Sequence, residues 1–241
     1  MIIRYKEPGK TLGQLTNDVQ NEIKEKIRYI GRLDPMASGF VCFLIGDECN
    51  NANDYLHSDK TYCFNLILGI STDSGDSLGI IRDIQDIKIS DIKISDILHK
   101  FNNYSYNQIY PLYSSFVIRQ NGIKKPLWYF AKNEIYIDNI PSHQVTIKQL
   151  ESNGNPFIID NCNYFIHQIQ KIDDERGINL RKNEIITQYK NINNLSLLAI
   201  PFIAKVSGGT YIRKLCEDIG IHYGVPAIAD NIQRVAYHFS Q

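Results

Sequence analysis

After Thr11 the apolar positions recur in steps of three and four: Leu12, Leu15, Val19, Ile23 and Ile27. That period matches one helix face, and a threonine ahead of it is a good N-cap, so an amphipathic helix is predicted over about 12–27. Phe40–Ile45 is a short apolar run and reads as a buried strand. Residues 60–68 alternate, with Tyr62, Phe64, Leu66 and Leu68 on one face, so Tyr62 should point to an interior or a cleft. Asp86-Ile-Lys-Ile-Ser and Asp91-Ile-Lys-Ile-Ser repeat in tandem. Two copies cannot build a solenoid and read as a linker leading into a helix that ends near Phe101.

Residues 151–195 change character, being rich in Asn, Asp and Lys, with Gly154 and Pro156 breaking any long element. Phe157, Ile158, Ile159, Tyr164, Phe165 and Ile166 still supply enough apolar material for a small ordered hairpin. Beyond it, Leu195–Val206 reads as a strand. Ile212, Leu215, Cys216 and Ile219 give a helix face beginning at Thr210, and 228–239 a closing strand. Strands and helices without strict alternation predict an α+β fold around a mixed, mostly antiparallel sheet flanked by helices.

At 241 residues and 43% apolar, the chain can form one large domain, or one domain with an inserted lobe. No apolar run reaches eighteen residues, so no membrane span is expected, and the first residues lack a signal-peptide core. Cys42, Cys49, Cys63, Cys162 and Cys216 are odd in number and form no Cys-x-x-Cys pair. Reduced thiols, no zinc site and a cytoplasmic or similarly reducing compartment follow. None of the six histidines falls at metal-ligand spacing.

The charges balance at 26 basic and 26 acidic residues, which does not favour a polyanion partner. Their distribution does. Lys24, Lys26, Arg28 and Arg32 run towards residue 34, Lys124 and Lys125 sit in a predicted hairpin, and Lys205, Arg213 and Lys214 cluster late in the chain. Acidic residues gather around 83–96 and at Asp173, Asp174 and Glu175. A local basic patch steers a polyanion even when the total charge is zero.

Residues 28–39, Arg-Tyr-Ile-Gly-Arg-Leu-Asp-Pro-Met-Ala-Ser-Gly, hold one carboxylate in an unusual setting. Asp34 lies between Leu33 and the rigid Pro35, with Gly31 and Gly39 allowing tight turns on either side. Taken alone the segment is an Asp-Pro turn. Taken with the rest of the chain it is more. Gly31-x-Leu33-Asp34-Pro35-Met36-Ala37-Ser38-Gly39 is followed in order by Lys60-Thr61-Tyr62, Gly69-x-x-Thr72-Asp73-x-x-Asp76-x-x-Gly79 and Pro111-x-Tyr113-Ser114. Gly122-x-x-x-Pro126-Leu127 and Ser207-Gly208-Gly209-Thr210-Tyr211-Ile212-Arg213 come next. These ordered blocks resemble the TruB-type tRNA pseudouridine synthases over most of residues 5–240.

The resemblance implies a pseudouridine synthase fold and a cofactor-free isomerisation of uridine, most directly at position 55 in the T arm of tRNA. It assigns Asp34 as nucleophile or base, Arg213 as its partner arginine and Tyr62 as the active-site tyrosine. A carboxylate removed from water needs a cation, and a guanidinium meets it in a two-bond fork. Lys60 precedes Tyr62 in its motif, Tyr211 matches a second aromatic position, and Ile232 matches an apolar residue packing on the flipped base. Lys124 and Lys125 are expected to contact RNA. Tyr29 stands where the family commonly has a histidine that fills the space vacated by the base. Arg32 replaces a small residue and gives Gly-Arg-Leu-Asp, similar to synthases of ribosomal RNA.

The interval corresponding to 151–195 is much shorter in that family, so an insertion is expected there. The chain ends just after its last strand, so the usual C-terminal PUA domain is expected to be absent from a single catalytic domain over 1–241. No protein partner is implied, and a monomer is expected. Ribosomal or messenger RNA is the alternative substrate. A non-catalytic tRNA-folding chaperone is the alternative from another class, which would have no need of Asp34, Tyr62 and Arg213 together.

Overall fold

The computed structural model describes residues 1–87, 92–172, 180–192 and 196–239. The chain begins with strand β1 (Ile2–Lys6), helix α1 (Leu12–Glu22), and strands β2 (Ile27–Ile30) and β3 (Ser38–Ile45). A 3-10 turn (Gly46–Asn51) and helix α2 (Ala52–Leu56) lead to β4 (Asp59–Leu68), β5 (Ile70–Thr72) and β6 (Ile81–Ile84). Helix α3 (Ile94–Phe101), β7 (Tyr104–Ile109), β8 (Val117–Gln120), β9 (Ile123–Pro126), α4 (Leu127–Lys132) and β10 (Ser142–Ser152) follow. The remainder is β11 (Phe157–Ile159), α5 (Asn163–Gln170), α6 (Lys182–Lys190), β12 (Leu197–Val206), α7 (Ile212–Tyr223) and β13 (Ala227–His238).

Nine strands form one sheet in the order β1-β3-β13-β4-β12-β10-β7, with β2 on β3 and β11 on β12. Among the described strand pairs of this sheet only β13–β3 is parallel. The sheet is covered on both faces, as alternation along its strands shows. Leu66 and Leu68 of β4 and Leu198 and Ile200 of β12 join the main core with Leu12, Leu15 and Val19 of α1 and Leu215 and Ile219 of α7. Ile67, Leu197 and Ala199 point the other way, into a second core with Phe165, Ile166 and Ile169 of α5 and Ile185 and Tyr189 of α6.

Two expectations are corrected here. The first helix starts as predicted, with Thr11 and Gln14 closing a capping box, but it stops at Glu22 rather than near residue 27. Ile23 is already extended (φ −105, ψ 116), and Ile27 pairs with Ile45 across β2 and β3. Strand pairing overrides the helical spacing there. The 151–195 region is not a hairpin: β11 edges onto β12, and two helices supply the second core. Its acidic run at 173–175, residues 193–195 and part of the tandem repeat, 88–91, lie outside the described residues.

Candidate active site

Asp34 sits in the connection between β2 and β3, and two buried cations hold that connection. The Lys6 ammonium donates to the carbonyls of Ala37 (2.5 Å), Glu7 (3.1 Å) and Pro35 (3.2 Å). Arg234 of β13 donates to Phe40 O (2.8 Å), Arg32 O (3.2 Å) and Gly31 O (3.3 Å). Neither cation is exposed at all. Burial pushes the Lys6 ammonium down to about 8, with Asp34 opposing that shift. Gly39 is what lets the loop lie so close: at φ +115 it runs beside Arg234, whose carbonyl oxygen would be 2.2 Å from an added Cβ.

Arg213 stands in the first turn of α7, where its guanidinium is shared among three acceptors. Nε donates to Asp34 Oδ2 at 2.8 Å, one terminal nitrogen donates to Ser74 O, and the other to Tyr113 O at 3.1 Å. The arginine is 3% exposed, whereas the Asp34 side chain is 37% exposed. The sequence suggested an aspartate shut away from water. Instead the cation is enclosed and the carboxylate faces outward.

A second carboxylate, Asp76, approaches the same guanidinium at 3.9 Å. It accepts from Ser74 Oγ (2.7 Å) and Leu78 N (3.0 Å). Burial lifts its carboxyl to about 6 against the pull of Arg213.

Asp34 opens onto a cavity of about 770 Å³ whose wall includes Tyr62, Tyr211, Ile232, Lys60, His143 and Arg213. Each lining side chain has a local cause. Tyr62 faces inward by the alternation of β4. Ile232 is aimed by an irregularity in β13: the register with β4 shifts between Asp230 and Gln233, and Asn231 takes φ 47. Tyr211 is fixed at its backbone by the buried amide of Gln108, which accepts from its N–H (2.8 Å) and donates to its carbonyl (3.2 Å). Gly208 lets the turn before α7 approach the backbone of His57, which an added Cβ would meet at 2.7 Å.

Lys60 lines the cavity, but its ammonium is already bonded to protein. Its ammonium turns to Ser58 O (2.6 Å), Leu56 O (2.9 Å) and Ser58 Oγ (3.1 Å), and burial pushes it down to about 8. Tyr29 lies outside the cavity wall. It shares a face of β2 with Ile27, packs on the main core, and carries the Arg32 guanidinium 5.6 Å from its ring centre. Arg32 itself lines this cavity and a neighbouring one of about 340 Å³ on the other side of Asp34.

Lys124 and Lys125 are exposed on the β8–β9 hairpin and line neither cavity, with Lys125 over the Tyr129 ring at 5.4 Å. Lys214 is only 12% exposed and pairs with Asp218 (2.5 Å) and Glu217 (3.5 Å) on its own helix, so its charge is already matched. Lys6, Gln108 and Arg234 were not singled out from the sequence, because apart from the Tyr106 hydroxyl held by Gln108 their hydrogen-bond partners are backbone groups, which leave no trace in residue identity. Asp76 was visible in its motif but carried no assigned role.

A family model described as TruB family pseudouridylate synthase (N terminal domain) matches residues 20–156, which include Asp34, Tyr62 and Asp76. The chain is 27% identical over 237 residues to tRNA pseudouridine synthase B of Blochmanniella pennsylvanica, covering 98% of this chain and 74% of that one. It is 30% identical over 234 residues to the protein of the same name from Mycoplasmopsis pulmonis, covering 96% and 66%. A chain in the crystal structure of a Cbf5-Nop10-Gar1 complex superposes with a TM-score of 0.55 at 17% identity, a likeness of fold. That alignment covers 97% of this chain and 47% of the other. With more than half of its residues inside the family model, the chain belongs to the TruB family of pseudouridylate synthases.

Proposed function

We propose that the chain isomerises uridine to pseudouridine in RNA and that its target is the T-arm uridine of tRNA. One observation carries this reading: a single outward-facing carboxylate, Asp34, is held at 2.8 Å by a buried arginine at the edge of an aromatic-walled cavity. The uridine flips out of its stack into this cavity. Tyr62 and Ile232 offer it faces that offset the few kcal/mol lost on unstacking. Asp34 acts on the nucleotide as nucleophile or base, the C1′–N1 bond breaks, and the uracil turns in place. A C1′–C5 bond then forms, N1 takes up a proton, and the C5 proton leaves beside the Tyr62 hydroxyl. Bound RNA covers the outward-facing Asp34, and that cover keeps water from the intermediate. Every bond made or broken belongs to the substrate or to these side chains.

The choice of tRNA rests on the names of the relatives above and on the ordered motif blocks. Mapping pseudouridines in a tRNA transcript and in ribosomal RNA incubated with the protein tests it. The T-arm uridine should be modified first and at the lowest enzyme concentration. Ribosomal RNA modified ahead of tRNA would reassign the substrate, and Arg32 would then be the first residue to exchange.

A further inference from the structure

The 151–195 region sends one side chain, Arg181, back to the segments that hold Arg213. Arg181 precedes α6 with left-handed backbone (φ 57), a conformation that residues other than glycine seldom adopt. Its guanidinium forks onto Asp73, with one nitrogen 2.6 Å from Oδ2 and the other 3.1 Å from Oδ1. It also lies over the Tyr113 ring, 4.7 Å from the centroid. Asp73 is nearly buried, and its other contacts are Ile80 N at 2.8 Å, the Tyr113 hydroxyl at 3.3 Å and the largely exposed Arg82 at 3.7 Å.

Arg181 therefore grips two chain segments, and those same segments hold Arg213. Residue 74, next to Asp73, supplies one carbonyl to the Arg213 guanidinium, and Tyr113 supplies the other. A guanidinium is planar, so two fixed carbonyls on its terminal nitrogens set the direction of its Nε–H, which is the donor to Asp34. We propose that Arg181 is a positioning residue: by clamping Asp73 to Tyr113 it fixes the two carbonyls that orient Arg213 towards Asp34. This rests on the function proposed above and extends it, since it makes the 151–195 region part of the active-site scaffold. The fork spans 108 residues of sequence, so it forms only once that region has docked.

The test is the kinetics of pseudouridine formation in a tRNA transcript, by wild type, Arg181→Ala, Arg181→Lys, Arg213→Lys and the Arg181→Ala/Arg213→Lys double variant, with single-turnover rates for the slow ones. Arg181→Ala should lower kcat at least tenfold and leave KM within threefold. Arg181→Lys should not restore the rate, because an ammonium has neither the fork nor the flat face. In the Arg213→Lys background, losing Arg181 should cost less than twofold, since the group it orients is gone.

An equal loss in both backgrounds would show a general structural role and overturn the proposal. A rise in KM with kcat unchanged would make Arg181 an RNA contact, and a kcat within twofold of wild type would leave it no role; either overturns the proposal too. Should Arg181→Ala melt below the assay temperature, Asp73→Asn, which removes the other half of the fork, is judged by the same criteria. A wild-type protein that forms no pseudouridine would defeat the proposed function and this inference together. An active wild type with an unaffected Arg181→Ala defeats this inference alone.

Discussion

Arg213 is enclosed by protein while Asp34, bonded to it at 2.8 Å, keeps 37% of its side chain open to the cavity and solvent. The asymmetry matters for reactivity. A desolvated guanidinium whose three nitrogens all donate to protein cannot swing to water, so the carboxylate it holds through Oδ2 stays oriented. Asp76 lies behind the arginine at 3.9 Å and supplies a second negative charge that keeps the cation in place.

Asp76 gives a pH signature. Its carboxyl titrates at about 6 in the folded protein, above the ordinary value of 3.8. Between those values the folded state holds a proton that the unfolded chain has released. This group's contribution to stability therefore falls as pH rises from about 4 to 6. Asp76→Asn has no such titration, so its stability relative to wild type should improve steadily across that window. Urea unfolding of both proteins at pH 4, 5 and 6.5 measures the difference. A gap that stays constant would mean that Asp76 is not a buried, reluctantly charged carboxyl.

Tyr62 separates stacking from proton transfer. The side chain is 8% exposed and lines the cavity. Tyr62→Phe keeps the aromatic face and loses the hydroxyl, so kcat should fall with KM unchanged. Tyr62→Ala loses both, and binding should weaken as well, by about 1–3 kcal/mol for one stacked base. If Phe matches wild type in kcat, the hydroxyl has no part in the chemistry.

The β8–β9 hairpin offers a purely electrostatic test. Lys124 and Lys125 line neither cavity, and an exposed lysine contacts phosphate without reading sequence. Replacing both with glutamine should reduce the salt dependence of RNA binding by up to about two phosphate contacts, with little change in turnover at saturation. An unchanged slope would place the RNA on another face.

Some of this was legible in the sequence, and the limits have physical causes. Thr11 and the alternation of β4 are local signals, and both appear where they were expected, including the inward turn of Tyr62. Ile23 and Ile27 continued a helical spacing, but Ile27 is held by Ile45, a partner that spacing cannot reveal. The polar run after residue 151 hid two helices whose apolar faces, Phe165 and Ile169 on one and Ile185 and Tyr189 on the other, become meaningful only against Ile67 and Leu197. The pairing of Asp34 with Arg213 was what the family resemblance implied, and the two side chains lie 2.8 Å apart. The burial of Lys6 and Arg234 beneath that loop was not foreseeable, since their acceptors are carbonyls.

The central claim is that the Asp34 carboxylate performs the chemistry and contributes little to RNA binding. Asp34→Asn keeps the shape of the side chain and removes the negative charge that Arg213 holds. The decisive measurement is single-turnover pseudouridine formation by this variant on a tRNA transcript, alongside its RNA affinity. Turnover should be abolished while affinity stays within about a factor of ten of wild type, a change under roughly 1.4 kcal/mol. Turnover above a tenth of the wild-type rate would contradict the account and remove Asp34 from the mechanism.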